Sequence, residues 1–92
     1  MEVRYADRKI QTICTNERQM KRQLDAAVAK KLRLRITELF AGLLHGTGRW
    51  EQLTADRAGQ WSARLGRNWR LIVVDEGGTP VVALVTDIVD YH

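Results

Sequence analysis

Two arginines in the segment 61–74, WSARLGRNWRLIVV, are the residues of this sequence best suited to chemistry. Arg64 and Arg70 each carry a planar guanidinium group, which can grip an anion such as a phosphate through two parallel hydrogen bonds. They can share one anion only if both side chains lie on the same face of a sheet. The alternative interpretation is two solvated arginines on an exposed surface, where arginine is common.

The alternation of apolar and polar residues in this segment predicts a β-hairpin and also its register. A two-residue loop would set Arg64 opposite Trp69 and mix apolar with polar side chains on each face. A three-residue loop, Gly66–Asn68, sets Arg64 opposite Arg70 and separates an apolar face from a polar one. We therefore expect the three-residue loop, with a positive φ at its first or last residue.

The predicted register places two positive charges directly across a strand pair, where they repel and make the pair less stable than a neutral one. An anion should therefore lie between Arg64 and Arg70. It is either an acidic neighbour from the same chain or an external group such as a phosphate.

The composition describes one small domain over residues 1–92, with 45% hydrophobic residues and room for a single core. The net charge of +4 and the pI near 9.7 favour an acidic partner such as nucleic acid. Cys14 is the single cysteine, which excludes an internal disulfide and fits a reducing cytoplasm. Because no segment approaches the roughly 20 apolar residues of a membrane span, we expect a cytoplasmic protein without membrane contact.

The first half of the chain predicts a short strand and then helices. Val3 and Tyr5 alternate with charged residues, and Asp7 is a candidate N-cap for a brief helix. From Glu17 an apolar stripe recurs at helical spacing to about Leu44, with a stop at 45–48. This pattern predicts either one helix that is kinked near residues 24–25 or two helices that are separated there.

The second half predicts mainly strands. Residues 49–60 show neither period cleanly and are interpreted as a turn of helix followed by loop. After the hairpin, the apolar run 81–85 predicts a strand in the middle of the sheet that continues to the chain end. We therefore expect an α+β fold, with an N-terminal short strand and two or three helices packed on one face of a mainly antiparallel sheet of about four strands.

Seven basic residues and one acidic residue, Asp25, lie between positions 18 and 35. A run of this kind is typical of a solvated helix face, and we expect most of these side chains to face water. The alternative is a nucleic-acid footprint.

Three motifs lie in the second half: DRAGQWS at 56–62, RNWRLIV at 67–73 and DIVDYH at 87–92. They closely resemble the HigB (plasmid-maintenance killer) branch of the RelE-like toxins, with its GDR-x-G-x-W-S, NWR-[LI] and terminal DYH patterns. The opening segments VRYADRKI, NERQMKRQL and KKLRLRITEL are similar to the same branch. The resemblance therefore covers nearly the whole chain.

The resemblance implies a type II toxin that cuts messenger RNA in the ribosomal A site and is held inactive by a HigA-type helix-turn-helix antitoxin. It implies metal-free cleavage without a cofactor, by attack of the 2′-hydroxyl on the phosphodiester. Such a reaction needs a base for the 2′-hydroxyl, cations around the phosphate and an acid for the leaving 5′-oxygen.

The resemblance also implies roles for particular residues. Arg70 matches the arginine of NWR and would stabilise the phosphate, and Arg64 lies where many relatives hold a second basic side chain. In the terminal triplet, His92 or Tyr91 would move a proton and Asp90 would orient a neighbour. The further candidates for RNA contact are Arg67, Asn68, Lys30 and Lys31.

The sequence departs from the family before the first motif, where relatives usually carry HPLKG. Glu51 stands at the position of the histidine and Thr54 at that of the lysine, and Leu53 alone matches. Because other RelE-like enzymes use a glutamate as base, Glu51 is a candidate base. The alternative interpretation of Glu51 is a surface carboxylate near Arg49 without a role in catalysis.

Two further hypotheses follow from these departures and from the basic run. A catalytically weakened or inactive protein would keep the fold, the antitoxin surface and ribosome affinity. A general RNA-binding domain would use the basic helix instead, through Lys30, Lys31 and Arg33.

Overall fold

The computed structural model describes residues 1–44, 49–53 and 59–90. These residues form three helices and a five-stranded mixed sheet, so the predicted α+β class and N-terminal strand are confirmed. The strands are β1 (Glu2–Tyr5), β2 (Trp50–Gln52), β3 (Gln60–Arg64), β4 (Trp69–Gly77) and β5 (Val82–Asp90), and the helices are α1 (Arg8–Thr15), α2 (Glu17–Gln23) and α3 (Ala26–Phe40).

Each helix begins at a side-chain cap. The carboxylates of Asp7 and Asp25 and the side-chain oxygen of Asn16 accept hydrogen bonds from backbone N–H groups three residues later, at 2.8, 2.9 and 3.1 Å respectively. Such caps satisfy donors that the first helical turn leaves without a partner. The cap predicted at Asp7 is confirmed.

The long apolar stripe is divided between α2 and α3 because Leu24 adopts extended backbone angles of φ −128° and ψ 151°. Of the two predicted alternatives, a kinked helix or two helices, the structure has the second. α3 ends at Phe40 rather than near Leu44. Gly42 has a φ of 78°, in the left-handed region that glycine adopts without strain, and turns the chain there. The predicted stop at 45–48 lies outside the described residues.

The strands lie in the order β1-β5-β4-β3-β2. β1 runs parallel to β5, and the other three neighbouring pairs are antiparallel, which confirms a mainly antiparallel sheet with β5 inside it. The expectation of about four strands is wrong because β2 adds a fifth. The interpretation of 49–60 as helix and loop fails at 50–52, where three residues are too few to show alternation and Trp50 pairs with Ala63.

β3 and β4 form the predicted hairpin with the predicted three-residue loop. Arg64 lies opposite Arg70, and the Leu65 N–H donates to the Trp69 carbonyl at 3.0 Å. Hydrogen-bonded and non-hydrogen-bonded pairs alternate along an antiparallel ladder. Arg64 and Arg70 are therefore a non-hydrogen-bonded pair, the kind that brings opposed side chains closest.

Gly66 serves close packing in this loop rather than a left-handed turn. Its φ lies outside the positive range, so the prediction of a positive φ is wrong for this residue. A Cβ at this position would lie 3.1 Å from Cγ2 of Val28 on α3, closer than ordinary van der Waals contact. The hairpin tip is thus held against α3.

The helices cover one face of the sheet, where the core lies. α3 and α2 contribute Met20, Val28, Leu32, Ile36 and Leu39, and the strands contribute Ala63, Leu65, Leu71, Val73, Ala83 and Val85. Ser62, Arg64 and Arg70 alternate with the strand residues of this core and lie on the opposite face, which we name the arginine face. None of the described helices is long and apolar enough to cross a membrane.

Candidate active site

The arginine pair lies on one sheet face, as the hairpin parity predicts. Arg64 is exposed, whereas Arg70 is half-buried and its Nη1 donates to the carbonyl of Trp69 at 3.1 Å. Neither guanidinium forms an ion pair with another residue of the described ranges. Because like charges across a strand pair repel, this arrangement favours an external anion between them.

A pocket of about 250 Å³ opens beside the pair. Glu51 on β2 lies opposite Ser62 on β3, and Ser62 is two positions from Arg64, so all three side chains lie on the arginine face. The structure therefore brings the candidate base Glu51 together with both candidate phosphate ligands. The full lining consists of Arg35, Arg49, Glu51, Ser62, Arg64 and Arg70.

A charged network forms part of the pocket wall. Arg35 Nη1 donates to Glu38 Oε1 at 2.9 Å, and Arg49 Nη1 donates to Glu38 Oε2 at 2.7 Å. The side chains of Glu38 and Arg35 are 4% and 10% exposed, whereas that of Arg49 is 58% exposed. Arg35 Nε also makes a long hydrogen bond of 3.4 Å to the Arg64 carbonyl.

The arginines keep the buried Glu38 ionised. Burial by itself would raise the pKa of the Glu38 carboxyl, but the hydrogen bonds and charges of Arg49 and Arg35 outweigh burial, and the pKa is lowered. Glu38 is therefore an anion at neutral pH. Four arginines against Glu38 and Glu51 leave the pocket region with an excess of positive charge, which suits a phosphate.

The sequence prediction missed Arg35, Glu38 and Arg49. Arg35 belongs to the basic run expected to face water, and its burial corrects that expectation for this residue. The sequence does contain a signal for the ion pair of Arg35 and Glu38. Residues three apart on a helix are neighbours, and this oppositely charged pair flanks the apolar stripe at Ile36 and Leu39.

The chain end is only partly described. Asp90 is the last residue of β5 and lies opposite Trp69, so its side chain is on the face away from Arg70. Tyr91 and His92 lie outside the described residues. The proton-transfer roles implied for the terminal triplet therefore stay predictions.

The candidates for RNA contact lie in two places. Arg67 is exposed and Asn68 half-buried in the hairpin loop next to the arginine pair, whereas Lys30 and Lys31 are exposed on α3. Their contact with RNA stays a prediction. Thr54, which replaces the family's lysine, lies outside the described residues.

A larger cavity of about 440 Å³ lies between α1, the end of α2 and strands β4 and β5. Its walls include Ile10, Ile13, Leu24 and Trp69, with Lys9 as the cationic side chain. By volume alone, this cavity would be the preferred candidate for a ligand-binding site. The smaller pocket is the better candidate for phosphate chemistry because the arginines and Glu51 line that one.

The fold is similar over the full chain to those of solved toxins. A YoeB/ParE toxin from Agrobacterium tumefaciens superposes with a TM-score of 0.71 at 21% identity, covering 100% of this chain and 99% of that one. The YoeB toxin in a YoeB-YefM complex from Staphylococcus aureus gives 0.65 at 16% identity, covering 100% and 97%. The YoeB dimer from the same organism gives 0.65 at 17% identity with the same coverage.

At these identities the comparison establishes a shared fold alone, and membership of the RelE-like toxins and of their HigB branch stays a prediction. No protein-family model matches the sequence. No curated protein matches it either.

Proposed function

We propose that this chain is the toxin of a type II toxin–antitoxin system and acts as a ribosome-dependent endoribonuclease that cleaves mRNA in the ribosomal A site. One observation carries the proposal: Arg64 and Arg70 lie opposite each other in one pocket with Glu51. Guanidinium groups bind phosphate, and a neighbouring carboxylate can accept a proton. The full-length likeness to YoeB toxins supports the same function.

In the proposed reaction the ribose 2′-hydroxyl attacks the adjacent phosphorus. Glu51 accepts the proton of the 2′-hydroxyl, while Arg64 and Arg70 hold the phosphate and stabilise the charge that develops on its oxygens. The bond from phosphorus to the 5′-oxygen then breaks, and Tyr91 or His92 protonates that oxygen. The motif resemblance would have Asp90 orient whichever of these two groups acts; because the Asp90 side chain lies on the face away from Arg70, it would act on its neighbour and not on the phosphate.

We further propose a HigA-type helix-turn-helix antitoxin as partner. The motif resemblance supports the HigB–HigA pairing, and the solved YoeB-YefM complex supports a cognate antitoxin in general. The remaining partners are the ribosome and mRNA, which places the action in the cytoplasm. Contact with RNA beyond the pocket would involve Arg67, Asn68, Lys30 and Lys31.

Induced expression with mapped RNA ends tests the enzyme proposal. The wild-type chain is expected to stop growth and produce cuts inside coding sequences. Arg70→Ala and Arg64→Ala should each lower the cleavage rate by a factor on the order of 10², because each removes a phosphate ligand that acts in the transition state. Arg4→Ala is the matched control, since Arg4 is also an exposed strand arginine but lies on β1, away from the pocket.

A defined assay complements the cellular one. Purified protein is mixed with ribosomes programmed with one message, and the A-site codon is examined for breaks. Intact RNA under conditions in which a related ribosome-dependent toxin cuts would show that the enzyme proposal is wrong. Loss of cleavage in Glu51→Gln, with ribosome binding retained, would identify Glu51 as the base.

A second candidate function is a catalytically inactive module that binds the antitoxin and the ribosome. It is favoured by the replacement of the family's histidine and lysine with Glu51 and Thr54. Binding to 70S particles without cut RNA, together with harmless overexpression, would support it.

General RNA binding by the basic helix is less well supported, because Arg33 is engaged with Glu17 at 3.1 Å. It requires RNA affinity that falls steeply with salt and that is reduced by Lys30→Ala and Lys31→Ala but unchanged by Arg64→Ala.

A further inference from the structure

Glu38 is a buried ionised group that the proposed reaction does not use. Removing a carboxylate from water is costly unless its partners compensate, so a buried anion needs a reason to be there. Glu17 provides a comparison, because it also contacts two cations, Lys21 at 3.5 Å and Arg33 at 3.1 Å, yet its side chain is 63% exposed. Glu38 also contacts two cations, both arginines, but its side chain is buried behind the pocket lining.

The two partners of Glu38 come from different parts of the chain. Arg35 lies one helical turn before Glu38 on α3, whereas Arg49 lies in the segment that leads directly into β2 and Glu51. Arg35 in turn reaches the Arg64 carbonyl on β3. Glu38 thus ties α3 to both strands that carry the proposed base and the first phosphate ligand.

We propose that Glu38 is a positioning residue, which holds Arg35 and Arg49 in the pocket wall so that Arg49 extends the phosphate-binding surface of Arg64 and Arg70. The inference rests on the proposed function and deepens it, because it adds Arg49 to the groups that contact an RNA phosphate. Arg49 lines the pocket and is more than half exposed, so an RNA strand can reach it. A guanidinium already fixed by a carboxylate loses less side-chain freedom when it binds an anion.

The two possible roles of Glu38, as a negative charge alone or as a positioning residue, predict opposite effects of Glu38→Gln on anion binding. If Glu38 contributed only its negative charge, Glu38→Gln would make the pocket more positive and would tighten anion binding. If it positions the arginines, the same change weakens binding. Glutamine keeps the size of the side chain, but its NH₂ group cannot accept a hydrogen bond, so one of the two arginines loses its acceptor on residue 38 and is held less firmly.

The probe for the test is a short single-stranded RNA with 2′-O-methyl groups, which cannot be cleaved by 2′-hydroxyl attack. Its affinity for the full chain is measured by fluorescence anisotropy at low salt. Glu38→Gln is expected to weaken binding by about fivefold to tenfold, as the immobilisation of one or two arginine side chains predicts. Glu17→Gln is the matched control and is expected to change the affinity by less than about twofold. An unchanged or higher affinity in Glu38→Gln overturns the inference.

Arg49→Ala provides a second variant at an exposed position where folding should survive. It is expected to weaken probe binding as much as Glu38→Gln, and the double variant should be little weaker than either single one, because both changes remove the same contact. Full affinity in Arg49→Ala overturns the inference even if Glu38→Gln does not fold. Where all three variants fold, losses that simply add also overturn it. Folding of each variant is checked by circular dichroism.

Cleavage of programmed ribosomes is measured separately with the same proteins. A wild-type chain that binds the probe but cuts nothing contradicts the proposed function, and the positioning role is then decided by the probe affinities alone. A wild-type chain that cuts, with Glu38→Gln folded and cutting at the same saturating rate and with the same probe affinity, contradicts the positioning role and leaves the enzyme proposal standing.

Discussion

The opposed arginines predict that a substitution which removes the proposed RNA cleavage also stabilises the protein. Arg64→Gln removes one of the two positive charges while it keeps a polar side chain of moderate length. The Arg64 carbonyl that accepts from Arg35 is unaffected, because it belongs to the backbone. We expect the free energy of unfolding to rise by about 0.5 kcal/mol and RNA cleavage to fall sharply.

The magnitude follows from the register. Cα atoms of a non-hydrogen-bonded pair lie about 4.5 Å apart. Guanidinium groups roughly 6 Å apart repel by about 0.7 kcal/mol at the dielectric constant of water, and salt at about 0.15 M screens part of this. The water value applies because Arg64 is exposed. A gain of about 0.5 kcal/mol corresponds to a rise in Tm of roughly 2–4 °C for a domain of this size.

Thermal unfolding of Arg64→Gln, Arg70→Gln and the double variant is the assay. Each single variant should be stabilised and the double variant little more than either, and the gain should shrink at about 1 M salt, where the Debye length is about 3 Å. Added phosphate should stabilise the wild-type protein more than the variants. Arg4→Gln, whose arginine is paired with Glu2 at 3.2 Å, should show no gain. A lower Tm for Arg64→Gln at low salt, or a gain that salt leaves unchanged, would refute the repulsion.

Three further predictions concern stability and reactivity. Glu38→Ala should lower the free energy of unfolding by about 3 kcal/mol in urea titrations, because Arg35 is left buried without its carboxylate. Because the pKa of Glu38 is lowered in the folded protein, the stability that Glu38 contributes is present above its usual pKa of 4.5 and is lost as the pH falls through its folded pKa. Glu38→Ala should therefore lose less stability than the wild-type protein over that acid range. Burial raises the pKa of Cys14 to about 12, and a thiol reagent at neutral pH should therefore label it only after unfolding. Gly66→Ala should cost roughly 1 kcal/mol through its contact with Val28, and the additional change Val28→Ala should reduce the Gly66→Ala penalty in a double-mutant cycle.

The hairpin shows what local patterning can predict. Side chains alternate between the two faces of a strand, so the requirement of a clean apolar face is enough to set the loop length and to place Arg64 opposite Arg70. The predicted cap at Asp7 is equally local, because its carboxylate accepts a hydrogen bond from a backbone N–H three residues away.

The candidate site depended on contacts that are distant in sequence. β2 has three residues, too few for a pattern, and it is a strand because Trp50 finds Ala63 across the sheet. In the sequence, Arg35 belongs to a basic run that is typical of a solvated helix face. In the structure, α3 packs on the sheet and Arg35 is buried beside Glu38. The sequence pattern cannot predict such burial, because burial depends on the position of a different helix or strand in the folded protein.

By itself the sequence determined the α+β class, an irregularity in the long helical stripe near residues 24–25, the hairpin register and the pairing of two arginines across it. These features follow from the periods of helices and strands and from caps, all of which act over a few residues. Only the tertiary structure decided that Glu51 joins the arginine pair and that Glu38 links α3 to both strands of the pocket. A shared pocket depends on packing between distant segments, and the free energy of that packing comes from contacts that no short stretch of the chain contains.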